Sequence, residues 1–377
     1  MKITVISTAY PLRGAMAQYT SILYKRFRER NHQINVITFK RQYPKLLFPG
    51  KTQLDMSQDE SLKIETDPML DSIGPWTWFR AYKKVQCFQP NLVIFQYWMP
   101  FFAPCFGSIG LLTRRFTNTK ILYLCHNVIP HERHPGDLTL ARFALRQADF
   151  FIVQSDVVKR ELLQLLPHAN YKVVPHPVYE IFGQPMDKRE AKKQLNIEAE
   201  NVLLFFGYIR AYKGLDLLLE AMPDIIKTVD LKLLVVGEFY DDENKYRQML
   251  DYLQINEHVH IVSDFVPNET VNLYFSASDV VVLPYKSATQ SGIVQIAYNL
   301  NKPCIVTDVG GLSEVVIHDH TGYVVEPNAP EELAKAVARF YAEDKQGEFS
   351  ENVKREKEKY SWDNMVKAIE EFVLPKN

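Results

Sequence analysis

The sequence lacks several features that would assign a protein to a class at once. Its 377 residues include four cysteines, and none forms a C-x-x-C pair, which argues against a disulfide framework or a zinc site. No stretch approaches the roughly 20 apolar residues of a membrane-spanning helix, and the opening MKITVIST is too short and too polar for a signal peptide. The 44 Lys and Arg residues against 45 Asp and Glu residues give no general attraction for nucleic acid. These absences predict a cytoplasmic protein.

What the sequence does contain is an alternation of short apolar runs and amphipathic helical stretches. The runs lie at 3–7, 34–39, 91–96, 120–125, 149–154 and 171–175, and again at 201–207, 231–237, 258–263, 279–284, 302–308 and 322–327. Their nearly continuous apolar character is typical of parallel strands that are covered on both faces. The sequence therefore predicts an α/β fold of two doubly wound, Rossmann-like domains that face one another across a cleft.

The domain boundary is predicted from a segment with three prolines and no periodicity, at residues 173–192. We expect an N-terminal domain at 1–177 and a C-terminal domain at 178–359. A long irregular insertion is expected at about 41–75, between the second and third strand runs, and loops of that length are usually functional or mobile.

Ligands of open α/β sheets bind beyond the carboxyl ends of the strands, so the loops that follow strands are the candidate sites. The first is YPLRGAMAQYT (10–20), where Gly14 could let backbone N–H groups approach a phosphate. The alternative is a tight strand-to-helix turn with Arg13 on the surface. The segment is not a G-x-G-x-x-G fingerprint, so a nicotinamide dinucleotide is not indicated.

The second loop is CHNVIPHERHPGD (125–137), which begins where a strand ends. His126 is expected to point into the mouth of the cleft, and the alternative is a structural histidine. Residues 131–134 add two histidines, a glutamate and an arginine, but no H-x-x-x-H or H-E-x-x-H spacing occurs, which argues against zinc.

Two further loops carry groups that suit a phosphorylated ligand. In FGYIRAYKGLDLLLEA (206–221), Arg210 and Lys213 precede an amphipathic helix and could neutralise a diphosphate; the alternative is a basic pair on the surface. In LPYKSATQSGIVQIAY (283–298), a strand is followed by a polar cluster that could hold an anion at a helix N-terminus, although one member must serve as the N-cap. The cluster consists of Ser287, Thr289, Gln290, Ser291 and Gly292.

An aromatic belt occupies 74–84 and 96–107 (GPWTWFRAYKK and QYWMPFFAPCFG). It could form core packing with a loop cover. It could also form an apolar acceptor face or a membrane-surface contact, helped by Arg80, Lys83 and Lys84.

Taken together, these segments resemble the retaining, nucleotide-sugar-dependent glycosyltransferases of family 4, which have the GT-B fold. FGYIRAYKGLDLLLEA is similar to the family's G-R-x-x-x-K-G-x-x-x-L-x-x-A segment, and PCIVTDVGGLSEVV is similar to its P-V-V-x-T-x-x-G-G-x-x-E run. HTGYVVEPNAPEELAKAV and YSWDNMV resemble the family's usual ending. The resemblance implies that a final helix within 360–377 packs back on the N-terminal, acceptor-binding domain, and that the C-terminal domain binds the nucleotide-sugar.

The resemblance also implies roles for particular residues. His126, Arg210 and Lys213 would act in catalysis, with His126 contacting the transferred sugar and the two cations binding the donor diphosphate. Gly14 would lie against the phosphate or the sugar. The distal phosphate and the sugar would be held by Thr289, Gln290, Ser291, Gly292 and Ile293.

The implied reaction moves a hexosyl group, with retention, from a UDP- or GDP-linked sugar to a hydroxyl of a carbohydrate or lipid-linked acceptor, in surface polysaccharide or glycoconjugate assembly. No cofactor is implied, and the lack of a D-x-D triplet agrees with metal independence. The resemblance also implies a peripheral position of the protein at the inner membrane face.

The sequence departs from the family pattern at two positions where a glutamate is usual, which are occupied by Thr289 and Ala297. Ribose binding must then come from elsewhere or be weaker. Two alternatives stay open, a non-catalytic GT-B-like binding subunit and a nucleotide-sugar epimerase.

Overall fold

The computed structural model describes residues 1–44, 48, 52–55, 57, 60–130, 134–264 and 266–373. The chain divides into two compact units, one formed by Met1–Pro177 with Ser361–Asn377 and the other by Val178–Tyr360. Each unit is built on one parallel sheet, so the predicted α/β fold with two doubly wound sheets is confirmed. Among the described residues, no helix combines the length and the apolar character needed to cross a bilayer.

The first unit contains a seven-stranded sheet in the order β3-β2-β1-β4-β5-β6-β7. Its strands are β1 (Lys2–Ile6), β2 (Gln33–Arg41), β3 (Asp67–Asp71), β4 (Leu92–Tyr97), β5 (Lys120–Cys125), β6 (Phe150–Val153) and β7 (Tyr171–Val173). Its helices, in chain order, are α1 (Ala15–Glu29), α2 (Pro75–Phe88), α3 (Ala103–Phe116), α4 (Asp137–Leu145) and α5 (Asp156–Leu165). The central strands are buried along their whole length, as the six residues of β4 show, because helices cover both faces of the sheet.

The second unit contains a six-stranded sheet in the order β10-β9-β8-β11-β12-β13. Its strands are β8 (Asn201–Phe206), β9 (Leu231–Val236), β10 (Val259–Val262), β11 (Val280–Leu283), β12 (Cys304–Thr307) and β13 (Gly322–Val325). Its helices are α6 (Lys188–Gln194), α7 (Leu215–Ile226), α8 (Glu243–Leu253), α9 (Asn268–Ala277), α10 (Gly292–Asn299), α11 (Leu312–Val315), α12 (Pro330–Ala342) and α13 (Lys345–Glu356). In α7, the buried residues Leu215, Leu218 and Met222 recur at the spacing that places them on one helix face, which packs into the core.

The last helix, α14 (Trp362–Val373), belongs to the first unit and packs beside α1. Its apolar face buries Trp362 and Ile369. Its polar side is tied down by Glu370, which accepts hydrogen bonds from Arg30 Nη1 at 3.0 Å and lies 2.7 Å from His32 Nε2.

One element falls where an irregular insertion was expected. Residues 67–71 form the edge strand β3, and Glu60–Leu62 form a turn of 3-10 helix. The sequence DPMLD does not read as a strand because both ends are acidic and Pro68 removes a backbone donor, which only an edge strand tolerates. Leu70 is the single fully buried residue of the five. Much of the rest of the insertion lies outside the described residues.

Candidate functional site

Both sheets have a point where neighbouring strands send their connections to opposite sides. In the first sheet this point lies between β1 and β4, and in the second between β8 and β11. Open α/β sheets bind their ligands beyond the carboxyl ends of the strands at such a point. The loops after β8 and β11 contain Arg210, Lys213 and the polar cluster 287–292, so the sheet order brings these predicted site residues together in the second unit.

The loop after β8 is shaped by two glycines with positive φ. Gly207 has φ +103°, and a Cβ added there would lie 3.1 Å from Lys213 Nζ and 3.1 Å from Ile293 Cδ1. Gly214, at φ +68°, is the N-cap of α7, and a Cβ there would lie 2.0 Å from the carbonyl oxygen of Pro284. Only glycine permits both approaches without a shift of backbone or side chain. Lys213 of the loop after β8 and Ile293 at the start of α10 therefore both lie close to Gly207.

Lys213 is the most unusual cation of this loop because it is buried, with 8% of its surface exposed. Burial, and secondarily the charge of Arg210, lowers the pKa of Lys213 from 10.5 to about 8. No acidic residue of the described chain contributes to that shift. The ammonium group lies 5.5 Å from the ring centroid of Tyr285, the second residue after β11. A buried cation that contacts an aromatic ring and has no carboxylate partner among the described residues is a candidate site for a negatively charged ligand.

Arg210 is held differently. It is half-buried at the start of the 3-10 turn Ala211–Lys213, and its guanidinium carbon lies 5.0 Å from the ring centroid of Tyr240. Tyr240 in turn stacks on Tyr208, with ring centroids 4.8 Å apart. Neither tyrosine is among the predicted site residues, and the only sequence signal for them is their position just after β8 and β9. The stack limits the conformations of Arg210 and keeps its charge beside Lys213.

The loop after β11 is tied to its surroundings through its backbone. The backbone N–H of Lys286 donates to the carbonyl of Tyr212 at 2.7 Å, and the N–H of Gly311 donates to the carbonyl of Thr289 at 3.0 Å. The side chain of Lys286 is engaged by Asp216, with Nζ 2.6 Å from Oδ2, so this lysine is not available as a second anion ligand. Thr289 is buried, and Gln290 is half-buried.

Ser291 is the N-cap of α10, because its hydroxyl accepts a hydrogen bond from the N–H of Ile293 at 3.2 Å. Gly292 begins the helix, and a Cβ there would lie 3.2 Å from Cε2 of Tyr179. Ser291 is thus the member of the polar cluster that serves as the helix N-cap, as the sequence requires of one of them. Ala297, one of the two positions where the family usually has a glutamate, is completely buried on α10.

In the first unit, Gly14 is the N-cap of α1, and its φ of +107° suits glycine. A Cβ at Gly14 would meet no atom within 4 Å, so space is open beside it. The expectation that an adjacent Arg13 lies on the surface in the tight-turn alternative is wrong, because Arg13 is 8% exposed. Its guanidinium carbon lies 5.5 Å from the ring centroid of Phe48, and this contact withdraws the side chain from solvent.

His126 follows β5, as predicted, and its backbone N–H donates to the carbonyl of Tyr97 at 2.8 Å. Its side chain is only 4% exposed, so the imidazole is buried and does not face solvent. The ring lies 4.8 Å from Tyr19 and 5.9 Å from His176, measured between centroids. Burial, and secondarily the neighbouring His176, lowers the pKa of His126 well below 6.5, whereas a hydrogen bond with Gln154 opposes the shift. His126 is therefore a neutral imidazole near pH 7.

His176 is a second buried histidine and is not among the predicted site residues. Burial lowers its pKa to about 4, and its Nδ1 lies 2.7 Å from the carbonyl oxygen of Pro177. The sequence signal was a histidine within the proline-rich segment 173–192, which was interpreted only as a linker. Residues 131–133, which follow His126 on the same loop, lie outside the described residues.

No group of three or more His, Cys, Asp or Glu side chains in the described part of the chain is arranged to hold a metal ion. The groups that the loops after β8 and β11 bring together are two cations, several hydroxyl groups and a helix N-terminus. Such a set suits an anion with two charged centres, such as a diphosphate.

Two family models match successive parts of the chain. The model described as Glycosyltransferase Family 4 matches residues 16–179, and the model described as Glycosyl transferases group 1 matches residues 187–371. Between them, the two models account for most of both units.

Individual proteins show the same relationship. An uncharacterized glycosyltransferase of Methanocaldococcus jannaschii is 33% identical over 171 residues, which are 45% of this chain and 43% of that protein. The N-acetyl-alpha-D-glucosaminyl L-malate synthase of Bacillus anthracis is 25% identical over 86% of this chain and 84% of its own length. The chain thus spans less than half the length of the first relative and most of the second.

Among solved structures, Anabaena Alr3699/HepE in complex with UDP and glucose matches with a TM-score of 0.78 and 17% sequence identity, covering 99% of each chain. At this identity the likeness concerns the fold, which is GT-B.

Proposed function

The chain belongs to the glycosyltransferases of family 4, and on that premise we propose that it transfers a hexosyl group from a nucleoside diphosphate sugar to an acceptor hydroxyl, with retention at the anomeric carbon. The second unit would bind the donor and the first unit the acceptor. The observation that carries the proposal is the position of Lys213 beside Arg210 at the strand-order switch point of the second sheet. Lys213 is buried and has no carboxylate partner in the part of the chain that the structure describes.

The donor diphosphate is assigned to Arg210 and Lys213. A nucleoside diphosphate is already a good leaving group, so the protein mainly has to stabilise the negative charge that grows on it. Two cations that are fixed by Tyr240 and Tyr285 perform this task without reorganisation. The low polarity around Lys213 strengthens the attraction.

The distal phosphate and the sugar are assigned to the loop after β11 and the start of α10. Thr289, Gln290 and Ser291 supply hydroxyl and amide groups in place of the carboxylate that is usual in the family, and Gly292 and Ile293 supply the helix N-terminus. From the family resemblance, Gly14 and His126 of the first unit are assigned to the phosphate and the transferred sugar. A neutral His126 would act as a hydrogen-bonding group rather than as a charge.

The donor base and the acceptor are chosen for testing from the relatives. The HepE structure holds UDP and glucose, and the Bacillus anthracis enzyme is named for an N-acetylglucosaminyl product. UDP-hexoses are therefore the first donors to test. For the acceptor we propose a carbohydrate or lipid-linked hydroxyl in surface polysaccharide or glycoconjugate assembly.

The proposal is tested by thermal denaturation with UDP, GDP, ADP and their common sugar conjugates. A ligand present at 100 times its Kd adds about 2.7 kcal/mol to the free energy of unfolding, which raises Tm by a few degrees. We expect one nucleotide series to stabilise the wild type. We also expect this stabilisation to disappear in Arg210→Ala and in Lys213→Met.

The matched control is Lys227→Met, because Lys227 is 70% exposed in the same unit and pairs only with Asp224 among the described residues. This variant should respond to the nucleotide as the wild type does. Absence of any shift in the wild type would overturn the donor site and favour a non-catalytic subunit. Consumption of the nucleotide-sugar without an acceptor, to give an epimer, would overturn the transfer reaction.

A further inference from the structure

Exposed apolar side chains are concentrated on one part of the first unit. Of the twelve large apolar side chains that are exposed in the described chain, eight lie between residues 73 and 143. Seven of these belong to three helices, α2, α3 and α4. A concentration of this kind on a folded protein marks an interaction surface, whereas scattered single residues do not.

The three helices lie on the same face of the first sheet. Their connections, from β3 to β4, from β4 to β5 and from β5 to β6, all advance in one direction across the strand order. Because parallel crossovers are right-handed, connections that advance in one direction place their helices on one face. Neighbouring helices in this row pack directly on one another.

On α2, the exposed residues share one side of the helix. Trp76 is 84% exposed and Phe79 is 44% exposed. Arg80 and Lys83 follow at helical spacing, and Lys83 Nζ lies 5.6 Å from the ring centroid of Phe79. Aromatic rings and cations thus alternate along the solvent side of α2.

The exposed surface continues onto α3 and α4. Phe116, at the end of α3, is 59% exposed, and its ring centroid lies 6.3 Å from that of Tyr82 on α2. Phe143 of α4 packs so closely on α3 that a Cβ at Gly107 would lie 2.4 Å from its ring. The remaining exposed apolar residues of these two helices are Leu111, Leu138 and Leu140.

The charge of this region differs from that of the rest of the chain. Residues 75–146 contain nine Lys and Arg residues against two Asp and Glu residues, although the whole chain has 44 against 45. The exposed cations of the three helices, together with the residue that follows α4, are Arg80, Lys83, Lys84, Arg114, Arg115, Arg142 and Arg146. Among the described residues, only Lys84 of these forms an ion pair, with Asp67 at 3.1 Å. We call the exposed residues of α2, α3 and α4 the basic aromatic face.

We propose that the basic aromatic face binds the surface of a bilayer that contains anionic phospholipids. Exposed Trp and Phe side chains settle at the boundary between headgroups and acyl chains, while Lys and Arg side chains pair with anionic headgroups. The face holds leucines besides its aromatic residues, and aliphatic side chains insert into a bilayer but do not stack on nucleobases. A second copy of the chain is a poor occupant, because two faces of the same positive charge repel each other.

The interaction needs neither donor nor acceptor, so it is independent of the proposed transferase reaction. The experiment is co-sedimentation of the full chain with two kinds of vesicle at low salt. One kind contains phosphatidylcholine alone, and the other also contains about 30 mol % of the anionic lipid phosphatidylglycerol. We expect binding to the anionic vesicles, little binding to the neutral ones, and loss of binding at about 1 M salt, where the Debye length falls to about 3 Å.

Two variants test the residues. Arg80→Gln with Lys83→Gln should weaken partitioning about 25-fold, since each cation near an anionic surface contributes about five-fold. Trp76→Ala should weaken it about ten-fold through lost apolar burial. Both sites are exposed, so neither variant should disturb folding, which circular dichroism and Tm would verify.

The matched controls lie on the second unit. Lys227→Gln with Lys335→Gln changes two cations that are 70% and 72% exposed, and Tyr252→Ala changes a ring that is 86% exposed. Both should bind anionic vesicles as the wild type does. Failure of the wild type to bind these vesicles would overturn the proposal, as would equal losses in the test and control variants. Tighter binding to a single-stranded oligonucleotide than to the vesicles would assign the face to nucleic acid instead.

Discussion

The ring of Tyr19 stands edge-on to the imidazole of His126, with centroids 4.8 Å apart and an angle of 90° between the planes. Tyr19 also contacts Trp362 of α14, at 4.6 Å between centroids, and its hydroxyl accepts a hydrogen bond from Gln154 Nε2 at 3.2 Å. One tyrosine of α1 therefore connects the last helix of the chain to the histidine that follows β5. The C-terminal helix is in this way part of the support of a candidate site residue.

We predict that Trp362→Ala lowers the free energy of unfolding of the first unit by about 3–5 kcal/mol, because the indole is 1% exposed and its removal leaves a cavity beside Tyr19. Urea denaturation followed by circular dichroism measures the change. The matched control is Trp76→Ala, which removes an indole that is 84% exposed and should change stability by less than about 0.5 kcal/mol. Equal effects of the two substitutions would contradict the described packing of α14.

The strands and the order of the two α/β units could be predicted from the sequence, because central parallel strands are buried on both faces and appear as continuous apolar runs. β3 could not be predicted, since an edge strand with one fully buried residue has no such run. The residues that surround His126 could not be predicted from the sequence either. Tyr19, His176 and Trp362 come from distant parts of the sequence, and only the folded chain shows that their rings meet.

The candidate donor loops were found for a related reason: both follow strand runs that the sequence displays clearly. The sequence did not show that Lys213 is buried while Lys286 is neutralised by Asp216. Gly214 lies against Pro284, so the loop after β8 contacts the loop after β11. Contacts between segments about 70 residues apart leave no local pattern.

The lowered pKa of Lys213 predicts how nucleotide affinity depends on pH. Only the ammonium form attracts a diphosphate, and its population in the free protein falls tenfold for each pH unit above about 8. At pH 9 we therefore expect the affinity for the nucleoside diphosphate to be about ten-fold lower than at pH 7. Isothermal titration calorimetry over pH 7 to 9.5 measures this dependence, and Lys213→Met should bind weakly at every pH.

The same shift predicts an effect on stability. Because folding lowers the pKa of Lys213 from 10.5 to about 8, the charged form opposes folding below pH 8, and this cost disappears as the pH approaches 10.5. Lys213→Met should thus raise the free energy of unfolding by about 3 kcal/mol at pH 7 in the absence of nucleotide.

The control for the pH dependence of nucleotide affinity is Lys302, whose pKa burial also lowers to about 8. Lys302→Met should leave the pH profile of nucleotide affinity unchanged. A nucleotide affinity of the wild type that is constant from pH 7 to 9.5 would refute the assignment of Lys213.

The stacking of Arg210 on Tyr240 predicts a smaller effect. Tyr240→Leu removes the aromatic face at 5.0 Å from the guanidinium carbon, and a partly exposed cation–π contact contributes about 0.5–1 kcal/mol. We expect nucleotide binding to weaken two- to five-fold, as measured by calorimetry. Tyr240→Phe keeps the ring and should bind nearly as the wild type does. If the phenylalanine variant were as weak as the leucine variant, the hydroxyl of Tyr240 rather than its ring would be responsible.

Gly214 is predicted to be intolerant of substitution. In Gly214→Ala, a Cβ would meet the carbonyl oxygen of Pro284 at 2.0 Å in a backbone of positive φ, so the two donor loops would have to separate. We expect a loss of more than about 1 kcal/mol of stability together with the loss of nucleotide binding. Gly347→Ala is the control, since Gly347 lies in α13 with no atom near its added Cβ, and it should gain about 0.5–1 kcal/mol. Normal nucleotide binding by a folded Gly214→Ala protein would show that the contact between the loops is dispensable.

Ala297 provides a test of how the donor ribose is held. The family resemblance places a glutamate at this position, but in this chain the residue is fully buried on α10 and is surrounded by protein. Ala297→Gln should cost about 1–3 kcal/mol at any pH, because the larger side chain overfills its site. Ala297→Glu should cost the same near pH 4 and more at pH 8, because burial raises the pKa of the new carboxyl and ionisation then opposes folding. Urea denaturation of both variants at the two pH values measures the difference. Tighter nucleotide binding by Ala297→Glu without a loss of stability would instead show that position 297 faces the donor, and that the absent glutamate weakens ribose binding in the natural protein.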